Sequence, residues 1–321
     1  MPRTWDVVIV GAGPAGLSAA LVLGRACRDI LLCDAGTPRN WAAKRMYAYL
    51  TRDGIRPARF RALAHRELRR YPNVVFRGVE VSGAVRLSRG GFRVTLSGRT
   101  HVRCRKLLIA SGLFDQLPAI PGVADFYGAS VFQCPYCDGW ELRGKSLVVY
   151  GKRKRGLEMA RALTAWTRHI VLCTDGPAGY SASVRAELRR NDIKLSEERI
   201  ARLEGNGSRL RAVVFKNGRK LRCSALFFDT PCSGQSQLAE SLGCEFTRQG
   251  GVKAARYEAT SVPGVYVAGN IIKDVQLAIV AAAEGARAAF GINKALSLEK
   301  FHEKATGTRR IEHPVFKSSN K

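Results

Sequence analysis

The stretch WDVVIVGAGPAGLSAALVLGRA, residues 5–26, decides the fold. VVIV is a β-branched run without polar alternation, as in a buried strand. Glycines follow at positions 11, 13 and 16, enclosing Ala12, Pro14 and Ala15, and an alanine- and leucine-rich helical pattern comes next. A second strand-like run, DILLCD, ends at Asp34, 18 residues after Gly16. A G-x-G-x-x-G turn alone is weak evidence. With a strand before it, a helix after it and an acid at this distance, it points to an adenine dinucleotide. The glycines allow a tight turn and the approach of a pyrophosphate to the helix N-terminus, and the acid takes ribose hydroxyls.

Downstream of this unit, NVVFRGVEV, FRVTLSG and HVRCRKLLIAS read as short strands spanning about residues 74–109, with LLIASG at 107–112 closing the last one. The proline-rich DQLPAIPGV, 115–123, reads as a linker. SLVVYG at 146–151 opens a second strand–turn–helix, followed by LEMARALTAW and the strand HIVLCTD. A strand pair with a turn at Asn217–Gly218 comes next. Near the end, SVPGVYVAGN, 261–270, leads into the alanine-rich helix QLAIVAAAEGARAAFGI. The expected fold class is α/β, with two Rossmann-like units, the second inserted into the first.

Composition narrows the function. Lys plus Arg number 53 against 26 acids, a net charge of +27, and the excess is spread along the chain, with residues 45–71, KRKR at 152–155 and the terminal KSSNK among its stretches. Such a field attracts acidic partners. No nucleic-acid motif or interleaved aromatic–basic stripe accompanies it, so nucleic acid is not expected as a partner. No apolar run reaches the roughly 18–20 residues of a membrane span. The N-terminus enters a strand without a signal-peptide pattern, and the expected location is cytoplasmic. Of nine cysteines, only Cys134 and Cys137 lie close together, in VFQCPYCDGWE at 131–141. The other seven read as small buried hydrophobes. A zinc site at Cys134 and Cys137 lacks two further ligands at ligand spacing, so no metal is expected. A structural disulfide suits an oxidising compartment better than this one. A redox dithiol opening a helix is the third reading, since a helix N-terminus lowers a thiol pKa.

Taken together, GAGPAG, CPYCDG and GVYVAGN resemble low-molecular-weight thioredoxin reductases and their relatives, over about residues 5–296. These relatives include sulfhydryl oxidases and ferredoxin-linked reductases independent of pyridine nucleotide. The resemblance implies an FAD-binding domain in two segments, 1–114 and 246–321, interrupted by a smaller NAD(P)-type domain, 115–245, that carries the cysteines. It assigns FAD contacts to Gly11, Gly13, Pro14, Ala15, Gly16 and Asp34. Ser111 and Gly112 match a second strand end, and Gly269 and Asn270 match the ribityl-binding Gly-Asp with an amide in place of the acid. Gln276, Leu277 and Ala278 match the helix start at the flavin's pyrimidine edge. The resemblance also implies that Cys137 meets the flavin, Cys134 meets the substrate and Asp138 shuttles the proton. A homodimer is expected on the same ground.

The family pattern breaks in the inserted unit. GKRKRG, 151–156, puts Arg153 where a second glycine admits the pyrophosphate. CTDGPAG, 173–179, has no basic cluster for a 2′-phosphate and offers Asp175 instead. Both departures argue against ordinary NADPH binding, although Lys152, Arg153 and Lys154 could attract a pyrophosphate by charge. The expected activity is FAD-dependent thiol/disulfide exchange with a thioredoxin-like protein or small disulfide, fed by an acidic donor such as ferredoxin. Its alternatives are a dithiol oxidase using O2 and a basic binding protein without activity. Asp138, where the oxidases often have a histidine, favours the reductase direction. The basic tail after about residue 297 either is disordered or packs over the flavin through Phe316.

Overall fold

The computed structural model describes residues 3–230, 232–234 and 237–305. The first unit runs β1 (Thr4–Val10), α1 (Pro14–Arg25), β2 (Ile30–Cys33), α2 (Pro57–Leu68), β3 (Val74–Arg77), β4 (Val81–Arg86), β5 (Phe92–Leu96) and β6 (Thr100–Ile109). After a short β7 (Leu113–Asp115) come α3 (Val123–Phe126), β8 (Val131–Phe132), α4 (Pro135–Asp138), β9 (Leu147–Tyr150), α5 (Arg153–Leu163) and β10 (Ile170–Cys173). The unit continues through α6 (Ala182–Arg190), β11 (Lys194–Ser196), β12 (Ile200–Asn206), β13 (Arg209–Phe215), β14 (Lys220–Arg222) and β15 (Ala225–Phe228). The chain then returns through β16 (Cys232–Gly234), α7 (Gln237–Ser241), β17 (Val265–Val267) and the long α8 (Ala278–Ala305).

The first sheet has the order β3-β2-β1-β6-β5-β4, with β17 also paired to β6. β1 lies parallel to both β2 and β6, whereas β5 meets β6 antiparallel. β6 is long enough to serve both partners, and its last residues also take β17. Both faces are covered, as the unbroken β-branched run demands. Val7, Ile9, Ile30 and Leu32 face the core of α1 and α8. Val8, Val10, Leu31 and Cys33 face the opposite core, which Ala239, Cys244 and Val252 complete. Ala239 and Cys244 thus pack against the first sheet although they precede residue 246. The second sheet is parallel throughout, β11-β10-β9-β15-β8, with the antiparallel β12-β13-β14 beside it. The outgoing β7 and returning β16 pair antiparallel, so the two crossings between the sheets run side by side.

α8 approaches α1 closely because Gly285 has no side chain: a Cβ there would stand 2.0 Å from the Ala15 carbonyl oxygen. The helix does not stop near residue 297. It runs to Ala305, and Glu299 holds the extension down by accepting from Arg105 at 2.9 Å and from Lys106. Phe316 lies outside the described residues. Cys33, Cys104, Cys173, Cys223 and Cys244 are buried free thiols, and Cys27 is exposed. Burial pushes the Cys104, Cys173 and Cys223 thiols up to about 12, which leaves them protonated and unreactive.

Candidate active site

β8 delivers the chain to the cysteines. Cys134 caps α4, with Pro135 in its first turn, and its Sγ accepts from the Cys137 amide at 3.2 Å. Cys134 and Cys137 form a disulfide with their Cα atoms 5.2 Å apart. Gly139 ends the turn, where a Cβ would stand 2.5 Å from the Pro135 oxygen and 2.8 Å from the Trp166 ring. Asp138 follows the disulfide directly. Burial, and secondarily Glu141, push its carboxyl up from 3.8 to about 7. A carboxyl with that pKa can both give and take a proton near neutrality.

The disulfide opens into a cavity of about 1210 Å³, larger than the roughly 300–1,000 Å³ of an ordinary small-molecule site. Cys134, Cys137 and Asp138 line one part of it. Gly11, Gly13, Pro14, Ala15 and Asp34 line another, with Ser111 and Gly112 from the end of β6. Gly269, Asn270, Gln276, Leu277 and Ala278 contribute from the approach to α8. Gly16 does not line it.

The three glycines of the first turn do different work. Gly11 takes φ +103°, and a Cβ on it would stand 2.4 Å from the Ala110 oxygen. A Cβ on Gly16 would lie 1.9 Å from the Gly11 oxygen, so Gly16 lets α1 pack onto the strand end. A Cβ on Gly13 would meet nothing within 4 Å. Space open at Gly13 is what a pyrophosphate needs. α1 also has no side-chain cap and no acid in its first turn, so its amides stay free for an anion. Asp34 braces the same loop, accepting from the Ala12 amide at 3.1 Å. Gly269 donates its amide to Glu284 of α8 at 2.7 Å, fixing the turn before Asn270. These features fit an FAD.

A residue absent from the sequence reading joins the parts. Arg39 donates to Asp115 at 2.7 Å, to Gln133 at 2.8 Å and to Gln276. Asp115 also accepts from the Tyr127 hydroxyl at 2.6 Å. Arg39 thereby ties the loop after β2 to β7, to the residue before Cys134 and to the segment before α8. Its only local sign is its place in TPRN, just beyond Asp34.

The nucleotide-type loop of the inserted unit is built differently. Gly151 and Gly156 keep the close packing of strand on helix, since a Cβ on Gly156 would stand 2.3 Å from the Gly151 oxygen. Arg153 between them takes φ +51°, and its carbonyl accepts from the Tyr180 hydroxyl at 2.8 Å. Asp175 accepts from the Ile200 amide at 2.8 Å.

Residues 5–285 match the family model described as pyridine nucleotide-disulphide oxidoreductase. The chain belongs to this family. Among curated relatives, the oxidoreductase is 32% identical over 290 residues to thioredoxin reductase tcpT of Claviceps purpurea strain 20.1, covering 85% of this chain and 89% of that one. Among solved structures, it resembles a putative thioredoxin reductase TrxB from Bacillus anthracis, at 34% identity and a TM-score of 0.88, covering 92% of this chain and 100% of that one. It also resembles HlmI, at 32% identity and a TM-score of 0.92, covering 96% and 98%. Together these make the protein an FAD-dependent disulfide oxidoreductase of thioredoxin reductase type, with two Rossmann-like domains. Among the described residues, no helix is long and apolar enough to cross a membrane.

Proposed function

We propose that the Cys134–Cys137 disulfide is the redox centre through which this oxidoreductase exchanges electrons between FAD and a thioredoxin-like protein or small disulfide. One observation carries the reading: the disulfide, the dinucleotide loops and a carboxyl shifted to about 7 share a single cavity. Bound FAD supplies two-electron chemistry. In the reductive direction two electrons and two protons break the Cys134–Cys137 bond and leave two thiols. The Cys134 thiolate attacks one sulfur of the substrate disulfide and releases the other as a thiolate. Cys137 then attacks Cys134 in the mixed disulfide, which re-forms the intrachain bond and frees the substrate as a dithiol. Asp138 takes the proton from the attacking thiol and returns it to the leaving thiolate.

The electron source in this reading is not NADPH bound in the ordinary groove. Arg153 stands at the loop that would face a pyrophosphate, Tyr180 is clasped to it, and no basic cluster accompanies Asp175. Arg52, Arg56, Arg59, Arg66, Arg69 and Arg70 are exposed on and beside α2. That surface suits an acidic protein donor such as ferredoxin, which it would steer electrostatically. The same nucleotide loop favours a second reading, a dithiol oxidase in which the substrate's thiols supply the electrons and O2 accepts them. Anaerobic titration with NADPH, reduced ferredoxin and dithiothreitol, following the flavin band, separates the two. Ferredoxin reduction supports the reductase. Reduction by dithiols alone, followed by fast reoxidation in air, supports the oxidase. Flavin that stays insensitive to dithiols, with a Cys134–Cys137 bond no donor can open, sinks both.

A further inference from the structure

We propose that Arg39 is a positioning residue of the redox centre: it reaches from the dinucleotide-loop side of the cavity to the residue before Cys134 and holds the Cys134–Cys137 disulfide beside bound FAD. The inference rests on the reading that FAD and this disulfide exchange electrons. The cysteines belong to the unit built on the second sheet, where β8 pairs with β15 and leads straight into Gln133 and Cys134. The dinucleotide turn belongs to the first sheet, between β1 and α1. The chain crosses from one unit to the other through β7 and returns through β16. These crossings join the units without fixing how far the disulfide stands from the turn. Side-chain contacts have to set that distance.

Arg39 supplies them at the place that matters. It lies five residues past Asp34, whose carboxylate accepts from the Ala12 amide of the turn. Its Nε and Nη2 both grip Oδ1 of Asp115, each at 2.7 Å. Nη2 also donates to Gln133 at 2.8 Å, and Nη1 donates to Gln276 just before α8. Acceptors in three directions suit the planar fork of a guanidinium, whereas a lysine ammonium is one point on a flexible stem and cannot span them. The Asp115 side chain is only 8% exposed and that of Arg39 21%, so water screens the pair little. The same loop meets the second unit again where Trp41 stands 6.3 Å from the Tyr127 ring and Lys44 donates to Ser208 at 2.7 Å. Of these contacts, the one made by Arg39 touches the neighbour of a reacting cysteine. One peptide joins Gln133 to Cys134, so slack at Gln133 passes to the sulfur. Reacting atoms need to stand about 3–3.5 Å apart, and a misplacement of about 1 Å can cost about a hundredfold in rate.

The test is Arg39→Lys, which keeps a cation for Asp115 and gives up the fork. It is made in wild type and in Cys134→Ser, both saturated with FAD so that any change in cofactor affinity drops out. Cys134→Ser leaves Cys137 as a thiolate, whose contact with FAD is read without turnover as a long-wavelength charge-transfer shoulder. That shoulder should lose most of its intensity when Arg39→Lys is added. In the otherwise wild-type chain, Arg39→Lys should slow electron exchange between flavin and dithiol about 10–100-fold at an unchanged KM for the disulfide substrate. In Arg39→Ala, guanidinium ion added below unfolding concentrations should restore part of both signals. A full shoulder and a wild-type exchange rate in Arg39→Lys overturn the proposal, even at a lowered melting temperature, because the clasp would then serve folding alone. Weaker FAD affinity with a full shoulder at saturation also overturns it and makes Arg39 a cofactor-holding residue. A Cys134→Ser protein that takes up FAD and shows no shoulder would overturn both this inference and the reading beneath it.

Discussion

Replacing Asp138 by asparagine should make the protein more stable at alkaline pH and leave it nearly unchanged in acid. The folded chain holds this carboxyl at about 7, against 3.8 for the ordinary group, chiefly because it is buried. Burial disfavours the charged form, so the folded state binds the proton more tightly than the unfolded state does. The stability tied to Asp138 is full below pH 3.8, falls as pH rises and stops falling above about pH 7. At about 1.4 kcal/mol per pKa unit the whole effect is about 4 kcal/mol, and the part lying between pH 5 and pH 8 is about 3 kcal/mol. Asparagine cannot ionise and escapes this loss. Urea unfolding of wild type and Asp138→Asn at the two pH values measures it, following the fluorescence of Trp140 and Trp166, which lie beside the site. The variant's advantage should grow by about 3 kcal/mol from pH 5 to pH 8. A gap equal at both values, or one that shrinks, would refute the burial argument. The same substitution should slow thiol–disulfide exchange by about 10²–10⁴ at neutral pH while leaving FAD bound, since it removes a proton carrier and no cofactor contact.

The glycines of the first turn separate folding from binding. Gly16→Ala drives a Cβ to within 1.9 Å of a backbone oxygen and should destabilise the apoprotein by about 1–3 kcal/mol in thermal melts, whereas Gly13→Val should melt like wild type and fail to take up FAD. Millimolar NADPH or NADH should reduce the flavin only slowly in stopped flow, and rapid saturable reduction at micromolar NADPH would return the protein to the ordinary NADPH-dependent reductases. Reduction by an acidic protein donor should weaken steeply between low and physiological ionic strength, because exposed charges about 10 Å apart are screened at 0.1 M salt. Glu299→Gln should speed amide exchange across residues 297–305 without disturbing the rest of α8, and equal exchange in both proteins would show that Arg105 and Lys106 do not anchor the extension.

What could be read from the sequence was what adjacent residues determine. The first turn was legible because strand, glycines, helix and acid follow one another within 30 residues of chain, between Trp5 and Asp34. The cysteine pair was legible for the same reason. Periodicity could not say that Gly16 packs while Gly13 stands open, since both satisfy one motif and differ only in what surrounds them. The Arg39 clasp was invisible because its partners lie 76, 94 and 237 residues away. The length of α8 was misjudged for a like cause. Its last turns look like a polar tail until Glu299 meets a basic pair on β6, 194 residues earlier in the case of Arg105. The proton affinity of Asp138 depends on burial, which a sequence window does not contain.

Arg153 has the left-handed backbone that glycine adopts freely and other residues enter at a cost of about 1–2 kcal/mol. The turn thus follows a backbone path that suits glycine while carrying an arginine. Under the proposed function, giving the enzyme a soluble nucleotide as electron source does not require rebuilding the turn between Gly151 and Gly156. Arg153→Gly relieves the strain and removes the guanidinium in one step, while the carbonyl that the Tyr180 hydroxyl donates to stays in place. In that reading the choice of electron source rests with the side chains this loop carries and not with its backbone path.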